Sequence, residues 1–314
     1  MREKNITEVT DFSNTEWRGL ISESVKFSKN LTRKPSLLKN KRVGLVFDSN
    51  SLRTRLSFET AAYLLGGSSY FIDVHSVTHE QDGSKRESYE DIIETLDRMV
   101  DCYVLRDYSR DMYEIFLRKS SPPFINGFCA KGHPSQALAD LSVITSKVGT
   151  TKDLQYVAVG PDSGSGVLES FIYGVLLLGE GITIITPSGK FEGKNHDFTD
   201  QVKKLEKLHG GSLRTTKEVS KTIKQADVLY VDEWWENNKN FLKKTMGKYR
   251  VDKNFLKTSK DSLAILHCLP AHHGREITED VIMGEQSIIF DQAEFKTYAA
   301  MSMLAYLALP GAKN

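Results

Sequence analysis

The stretch richest in chemistry is Ser51-Leu52-Arg53-Thr54-Arg55-Leu56-Ser57-Phe58-Glu59, placed where an apolar run, Val43-Gly44-Leu45-Val46-Phe47, gives way through Asp48-Ser49-Asn50 to a helical pattern. The first turn of a helix leaves backbone N–H groups unpaired and carries the positive end of the helix dipole, so such a junction attracts anions. Arg53 adds a cation, and Ser51 and Thr54 add hydroxyl donors, a set that fits phosphate. A capped helix start with surface arginines is the plainer reading, and on this stretch alone it is the preferred one. Other candidates lie apart in the chain: Arg106 after the apolar Cys102–Leu105, His133-Pro134-Ser135-Gln136, Asp232 after Val228–Val231, and His267-Cys268-Leu269-Pro270. Singly, each is weak, because a loop histidine or a salt-bridged arginine is the commoner fate of its type. Cys268 beside His267 raises nucleophilic catalysis, but no third orienting group is evident. His272-His273 lacks the spaced ligands of a zinc site, so no metal is expected.

Elements that could position these residues follow from periodicity. The run from Arg42 to Phe47 reads as a strand, Phe58, Ala61, Ala62 and Leu65 recur at helical spacing, Gly66-Gly67 closes that helix, and Tyr70–Val74 reads as a second strand. Tyr89–Val100 is again helical and Cys102–Leu105 is a strand ending at Arg106. A long helix over Gln136–Ser146 leads to a domain boundary near Gly149. The alternation resumes with strand Gln155–Val159, a loop Gly160–Gly166, helix Leu168–Leu178, strand Ile182–Thr186, helix Asp200–Leu208 and strand Val228–Val231. The last helical stretch, Tyr298–Leu307, has no strand after it and is expected to fold back on the first lobe. The expected fold is α/β with two lobes, each a parallel sheet flanked by helices, and an active site in the cleft between them. A chain of 314 residues accommodates two domains of roughly 150 residues.

Bulk composition excludes several classes. The sequence is 39% hydrophobic and 26% charged with a formal net charge of +1, which fits a globular protein and gives no basic stripe for nucleic acid. No apolar run approaches the roughly 20 residues of a membrane helix, and the N-terminal ten residues lack a secretory segment, so a cytoplasmic protein without membrane partners is expected. The cysteines Cys102, Cys129 and Cys268 form no CxxC pair and are expected to be reduced.

Taken in order, these motifs resemble those of the aspartate and ornithine carbamoyltransferase family. Its phosphate signature, Ser-Thr-Arg-Thr-Arg before a Ser-Phe-Glu helix, is matched at Ser51–Glu59 with Leu52 in place of threonine, at a position that in the family gives mainly a backbone amide. Further matches are Glu87-Ser88 with Asp91, Arg106, Asn126-Gly127, His133-Pro134-Ser135-Gln136 with Ala139-Asp140, and His267-Cys268-Leu269-Pro270. The resemblance implies a cofactor-free enzyme that moves the carbamoyl group of carbamoyl phosphate onto the amine of a small acceptor. It assigns Ser51, Leu52, Arg53, Thr54, Arg106, His133, Gln136 and Lys296 to carbamoyl phosphate, with Arg53, Arg106, His133 and Cys268 as the catalytic set. Growing negative charge on the carbonyl oxygen would be met by donors from Thr54, Arg106 and His133, as in an oxyanion hole. Holding two small reactants together lowers the barrier by roughly 7 to 11 kcal/mol, so no covalent intermediate is required. Residues 1–148 form the expected carbamoyl phosphate domain, 149–290 the acceptor domain, and 291–314 a helix returning to the first.

The acceptor residues implied are Asn126, Ser165, Asp232, Cys268 and Leu269, Asp232 matching the carboxylate that holds the attacking side-chain amine in ornithine-type enzymes. An acidic surround, Asp232-Glu233-Trp234-Trp235-Glu236, disfavours aspartate. Ser165-Gly166 and Trp235-Glu236-Asn237 stand where ornithine-type enzymes carry paired asparagines and Ser-Met-Gly, and Glu294-Phe295-Lys296 replaces Glu-Asn-Arg, departures that permit an altered acceptor. The loop His79–Arg86, with Asp82 and Lys85, matches the segment that reaches a neighbouring subunit in the family, which implies a homotrimer or a multiple of trimers. Two other classes remain: a regulatory or binding paralogue with little catalysis, and a nucleotide-binding oxidoreductase, the latter disfavoured because Gly160, Gly164 and Gly166 do not make G-x-G-x-x-G.

Overall fold

The computed structural model describes residues 4–31, 36–108, 110–234, 245 and 247–308. The chain forms two compact units, one of Met1–Asp11, Gly19–Ala139 and Glu294–Asn314, the other of Phe12–Arg18 and Asp140–Ala293. Each is a parallel sheet with flanking helices, as the alternating pattern predicts.

In the first unit the strands are β1 (Arg42–Phe47), β2 (Ser68–Asp73), β3 (Cys102–Asp107) and β4 (Phe124–Cys129), in the order β2-β1-β3-β4. Val43, Leu45, Val46 and Phe47 are all buried, the continuous apolar run expected of a parallel strand covered on both faces. Helix α1 (Asn14–Lys29) precedes β1, α2 (Leu52–Leu64) joins β1 to β2, and α3 (Val74–Thr78) and α4 (Tyr89–Leu96) lead to β3. Helix α5 (Asp111–Lys119) joins β3 to β4, and Tyr113 and Phe116 pack edge-on against Phe124 and Tyr103. The connection from β1 to β2 runs to one side of β1 while β3 lies on the other, so the strand order reverses between β1 and β3. In open α/β sheets ligands bind at the carboxyl ends of the strands flanking such a reversal.

The second unit repeats the plan with β5 (Tyr156–Val159), β6 (Ile182–Ile185), β7 (Leu213–Thr216), β8 (Val228–Val231) and β9 (Ala264–His267) in the order β7-β6-β5-β8-β9. Its reversal lies between β5 and β8. Helix α6 (Pro134–Val148) precedes β5; α7 (Gly166–Leu177), α8 (Phe198–His209) and α9 (Val219–Ile223) make the crossovers; α10 (Glu279–Ile282) and α11 (Ile289–Ala308) end the described chain. Val157, Val159, Leu229, Val231, Trp234, Val251 and Ile265 form one face of the core.

Differences from the sequence reading are local. The final helix starts at Ile289, nine positions before the expected Tyr298, because Gln292 is buried and spends its amide on partners instead of marking an exposed turn. Helices α1 and α5 and strands β4, β7 and β9 are not among the elements expected from the sequence. Strand β7 has little pattern to read: Leu213 and Thr216 are half-buried, Arg214 and Thr215 are exposed, and no residue of it is fully buried.

Candidate active site

At the reversal of the first unit, β1 ends at Phe47 and α2 opens at Leu52, with Ser51 as N-cap accepting the Thr54 N–H at 3.3 Å. Leu52 is 71% exposed, so it contributes main chain and no packing. Thr54 is buried, and its methyl would lie 3.3 Å from a Cβ added at Gly127, which would also meet Val104 at 2.8 Å and the Leu105 carbonyl at 3.1 Å. Only glycine fits that approach. The pairing of β3 with β4 shifts there: Leu105 opposes Asn126 and Arg106 opposes Phe128, which leaves Gly127 as the extra residue of a bulge. Bulges re-aim neighbouring side chains. Here the bulge accompanies the turn of Arg106 over the Phe128 ring, 4.5 Å from its centroid, while that ring meets His133 edge-on at 5.5 Å. Phe128 holds φ at 149°, a strained value for a bulky residue, of the kind that persists where surrounding contacts over-determine it.

The charges of this cluster are uneven. Burial lowers the Arg106 guanidinium to about 10, with Arg53 repelling it further and Asp48 opposing the shift. Its buried Nε has no hydrogen-bond partner among the described residues. Burial first, then Lys296, Arg106 and Arg53, holds His133 well below the usual imidazole range, so the ring is neutral. Lys296 from α11 donates to Gln136 Oε1 at 2.8 Å and lies 3.4 Å from His133 Nε2. Arg53, Arg106, His133, Gln136 and Lys296 are thus brought together. Arg55 is not part of the group: it pairs with Glu59 at 2.9 Å and stacks on Phe71.

At the reversal of the second unit, Asp232 directly follows β8 and is fully buried. Ser165, the N-cap of α7, accepts the Leu168 N–H and donates to Asp232 Oδ1 at 2.7 Å. Asp232 Oδ2 has no hydrogen-bond partner among the described residues. Gly160 at the end of β5 lets the carboxylate sit close, since a Cβ there would be 2.9 Å from the Asp232 Cβ. Burial raises Asp232 to about 7, Ser165 opposes the shift, and Glu233 and Glu169 add to it. Burial and Asp232 push the Cys268 thiol up to about 12, so it is protonated at neutral pH. An uncharged thiol is a poor nucleophile, which supports the expectation that Cys268 does not attack a substrate.

Several groups that the sequence does not single out hold this loop. His267 Nδ1 accepts the Leu269 N–H at 2.9 Å, which puts the ring proton on Nε2, 3.3 Å from Glu276 Oε1. The His267 N–H donates to Gln292, whose amide donates in turn to Asp140 Oδ1. Leu269 sits at φ 56°, a second strained non-glycine residue beside candidate site groups. No local sequence signal marks Glu276 or Gln292, because their partners lie far along the chain or depend on a loop's course.

Two of the expected acceptor residues have several partners within the protein. Asn126, read as an acceptor contact, is buried in the first unit and donates to Thr7 O, Cys129 Sγ and Gly132 O while accepting from Phe128 N–H. Its amide is consumed in shaping the loop that carries Phe128 and His133. Ser165 spends its hydroxyl on the helix cap and Asp232, so it orients the carboxylate. Asp82 and Lys85 are exposed, Asp82 accepting the Ser84 N–H and O–H within the His79–Arg86 loop. The Trp235-Glu236-Asn237 segment lies outside the described residues.

Comparison with known proteins adds relatives over nearly the whole chain. Residues 4–146 match the aspartate/ornithine carbamoyltransferase carbamoyl-P binding domain, and residues 152–307 match the Asp/Orn binding domain of the same family. An ornithine carbamoyltransferase of Methanococcus aeolicus is 34% identical over 92% of this chain and 94% of its own. One from Caldicellulosiruptor saccharolyticus is 36% identical over 87% of each. The solved ornithine carbamoyltransferase of Pyrococcus furiosus superposes with a TM-score of 0.86 at 29% identity, covering 96% of both chains.

Proposed function

The chain belongs to the aspartate/ornithine carbamoyltransferase family, and from that premise we propose that it transfers the carbamoyl group of carbamoyl phosphate to the side-chain amine of ornithine or an ornithine-like acceptor. The observation that carries this reading is the half-buried Arg106 guanidinium, whose enclosed Nε has no hydrogen-bond partner among the described residues, with Arg53 and Lys296 nearby. Cations gathered at a strand-to-helix junction repel one another, and a phosphate dianion bound among them relieves that repulsion.

The Leu52 and Arg53 amides and the Arg53 side chain hold the phosphate, and Arg106 forks between phosphate and carbonyl oxygen. Gln136 and His133 line the carbamoyl group. The neutral amine attacks the carbamoyl carbon, the C–N bond forms, and negative charge grows on the carbonyl oxygen, where fixed cations stabilise it without reorganising. The C–O bond to phosphate then breaks, and the departing phosphate accepts the amine proton. Asp232, with its open Oδ2, attracts a cationic amine and disfavours a dicarboxylate acceptor. Residues 1–148 and 291–314 serve carbamoyl phosphate in this reading, and residues 149–290 serve the acceptor.

We also place the enzyme in the cytoplasm as a homotrimer or a multiple of trimers, a reading supported by the exposed loop that bears Asp82 and Lys85. No helix among the described residues is long and apolar enough to cross a membrane. A colorimetric ureido assay with carbamoyl phosphate and ornithine, putrescine, acetylornithine, lysine or aspartate tests the reaction: product is expected with an ornithine-like amine and none with aspartate. Heat of carbamoyl phosphate binding without product from any amine would replace the enzyme by a binding paralogue. Light scattering checks the trimer.

A further inference from the structure

The carboxyl ends of β1 and β3 bring two aspartates together. Phe47 pairs with Arg106, the Asp48 N–H donates to the Arg106 carbonyl at 2.9 Å, and Asp107 is the last residue of β3, so Asp48 and Asp107 stand side by side on adjacent strands. Their other partners differ. Asp107 is buried, and its Oδ2 accepts the Tyr113 N–H at 2.8 Å in the first turn of α5, where the helix dipole favours an anion. Asp48 Oδ2 accepts the Tyr108 N–H at 2.9 Å. Its Oδ1 is enclosed and, as a bare carboxylate oxygen, has no hydrogen-bond partner among the described residues. The Asp48 carboxyl lies in hydrogen-bonding contact with Asp107, and two carboxylates make such a contact favourably only with a proton between them. Two further groups share the field of Asp48: the Tyr89 phenol on α4, which also faces Asp107 and Asp111, and the Arg106 guanidinium on β3. Burial raises the Asp48 carboxyl above the usual range, the Ser49 hydroxyl and Tyr108 N–H oppose the shift, and Asp107 adds to it.

We propose that Asp48 carries a proton on Oδ1, donates it to the Asp107 carboxylate, and acts through Arg106 as a positioning residue whose ionisation sets the affinity for the anionic substrate. While Asp48 is protonated, the guanidinium charge is left to the phosphate. Once it is ionised, a carboxylate beside Arg106 offsets part of that charge, so anion affinity falls as pH rises through the loss of the Asp48 proton. Reciprocally, an anion held by Arg106 favours the protonated pair. The inference rests on the carbamoyl phosphate reading for its ligand, but the shared proton belongs to the ligand-free protein. Asparagine at position 48 imitates the protonated acid: its oxygen can accept from Tyr108 and its amide can donate to Asp107, with no proton to lose.

The test is carbon-13 spectroscopy of aspartate-labelled full-length protein without ligand, titrated upward from about pH 4, the Asp48 carboxyl signal being assigned by its loss in Asp48→Asn. Expected is a carboxyl that titrates above its ordinary value of 3.8 in the wild type, and at a lower pH in Asp107→Asn, where an amide that can still cap α5 replaces the neighbouring charge. Calorimetry with a phosphonate analogue of carbamoyl phosphate then gives the ratio of the wild-type to the Asp48→Asn dissociation constant, in which the ligand's own titration cancels. That ratio should rise at least about threefold across the pH at which the Asp48 signal titrates, the effect of one nearby, partly screened charge. An Asp48 carboxyl that titrates at its ordinary value in the wild type overturns the proposal without recourse to any other variant. A titration unmoved in folded Asp107→Asn overturns the shared proton, and a ratio that stays flat overturns the action through Arg106. If neither protein gives heat with the analogue, the carbamoyl phosphate reading falls and with it the role in affinity, while the carbon signal still decides the shared proton.

Discussion

The two units use one architecture to make sites of opposite sign. Each is a parallel sheet whose strand order reverses once, between β1 and β3 in the first and between β5 and β8 in the second, and each carries candidate residues at the carboxyl ends of those strands. In the first unit the reversal gathers Arg53, Arg106 and Lys296, and burial depresses the Arg106 guanidinium's hold on its proton. In the second it gathers Asp232 with Glu233 and Glu169 near, and burial makes the acid retain its proton to about 7. A net charge of +1 conceals this segregation. In the proposed reading the backbone topology decides where a ligand binds, and a few side chains decide which ligand: an anion at the first reversal, an ammonium at the second.

The largest effect should come from removing the central cation. Arg106→Met is expected to lower kcat/KM by about 10⁴-fold, roughly 5 kcal/mol, since one guanidinium serves both phosphate and carbonyl oxygen. Calorimetry should show carbamoyl phosphate binding lost with it. Binding that persisted at wild-type affinity would mean the buried cations are not the anion site. Arg106→Lys should recover little, because an ammonium cannot fork.

The matching change in the second unit is Asp232→Asn, expected to cost about 10²- to 10³-fold in kcat/KM for the amine while carbamoyl phosphate binding is unchanged. It should also stabilise the fold. The folded carboxyl titrates near 7 and its ordinary value is 3.8, so between those pH values the native state keeps a proton the unfolded chain has lost. Stability on this account falls as pH rises from about 4 to 7, by an amount on the order of 3 to 4 kcal/mol at neutral pH. The asparagine variant should lack that decline, which thermal melts across pH 4.5 to 7.5 can read, as a higher Tm at the neutral end. A lower neutral Tm would show that the carboxylate is paired in the folded protein.

Smaller again is Gly127→Ala. A methyl group 2.8 Å from Val104 Cγ1 and 3.1 Å from the Leu105 carbonyl cannot be fitted without moving β3 against β4. A destabilisation of about 1 to 3 kcal/mol in denaturant melts is expected, with a weaker affinity for carbamoyl phosphate because the β4 bulge facing Arg106 shifts. The acceptor side should be untouched.

How much of this is legible in the sequence differs between the two sites for a physical reason. Ser51, Arg53 and Thr54 sit close together on one strand-to-helix junction, so local periodicity and capping chemistry reveal both the element and its use. Asp232 can be placed after a strand but not shown to be buried, because its partners Ser165 and Gly160 come from another loop. The His267–Glu276 contact and the Gln292 amide are invisible for the same reason, each depending on where a distant segment returns. Asn126 can be matched to a motif, but nothing local shows that Thr7, Cys129 and Gly132 take hydrogen bonds from its amide. The reversal of strand order itself, which locates both sites, is a property of sheet assembly that no window of sequence carries.

The smallest effect sharpens the comparison on the acidic side. If Cys268 were a nucleophile, Cys268→Ala would abolish turnover; with its thiol near 12, only about one molecule in 10⁴ is thiolate at pH 8, against a substantial fraction of an ordinary cysteine. Turnover in Cys268→Ala is therefore expected to fall by no more than about tenfold, mostly through acceptor KM, as the side chain serves packing near the amine. Alkylation by iodoacetamide at pH 8 should likewise be far slower than for a free thiol. Burial is the larger cause of that suppression and the Asp232 charge the next. The rate should accordingly rise in Asp232→Asn, though not to the free-thiol value, and a rate unaffected by that substitution would show that the carboxylate field does not reach the sulfur.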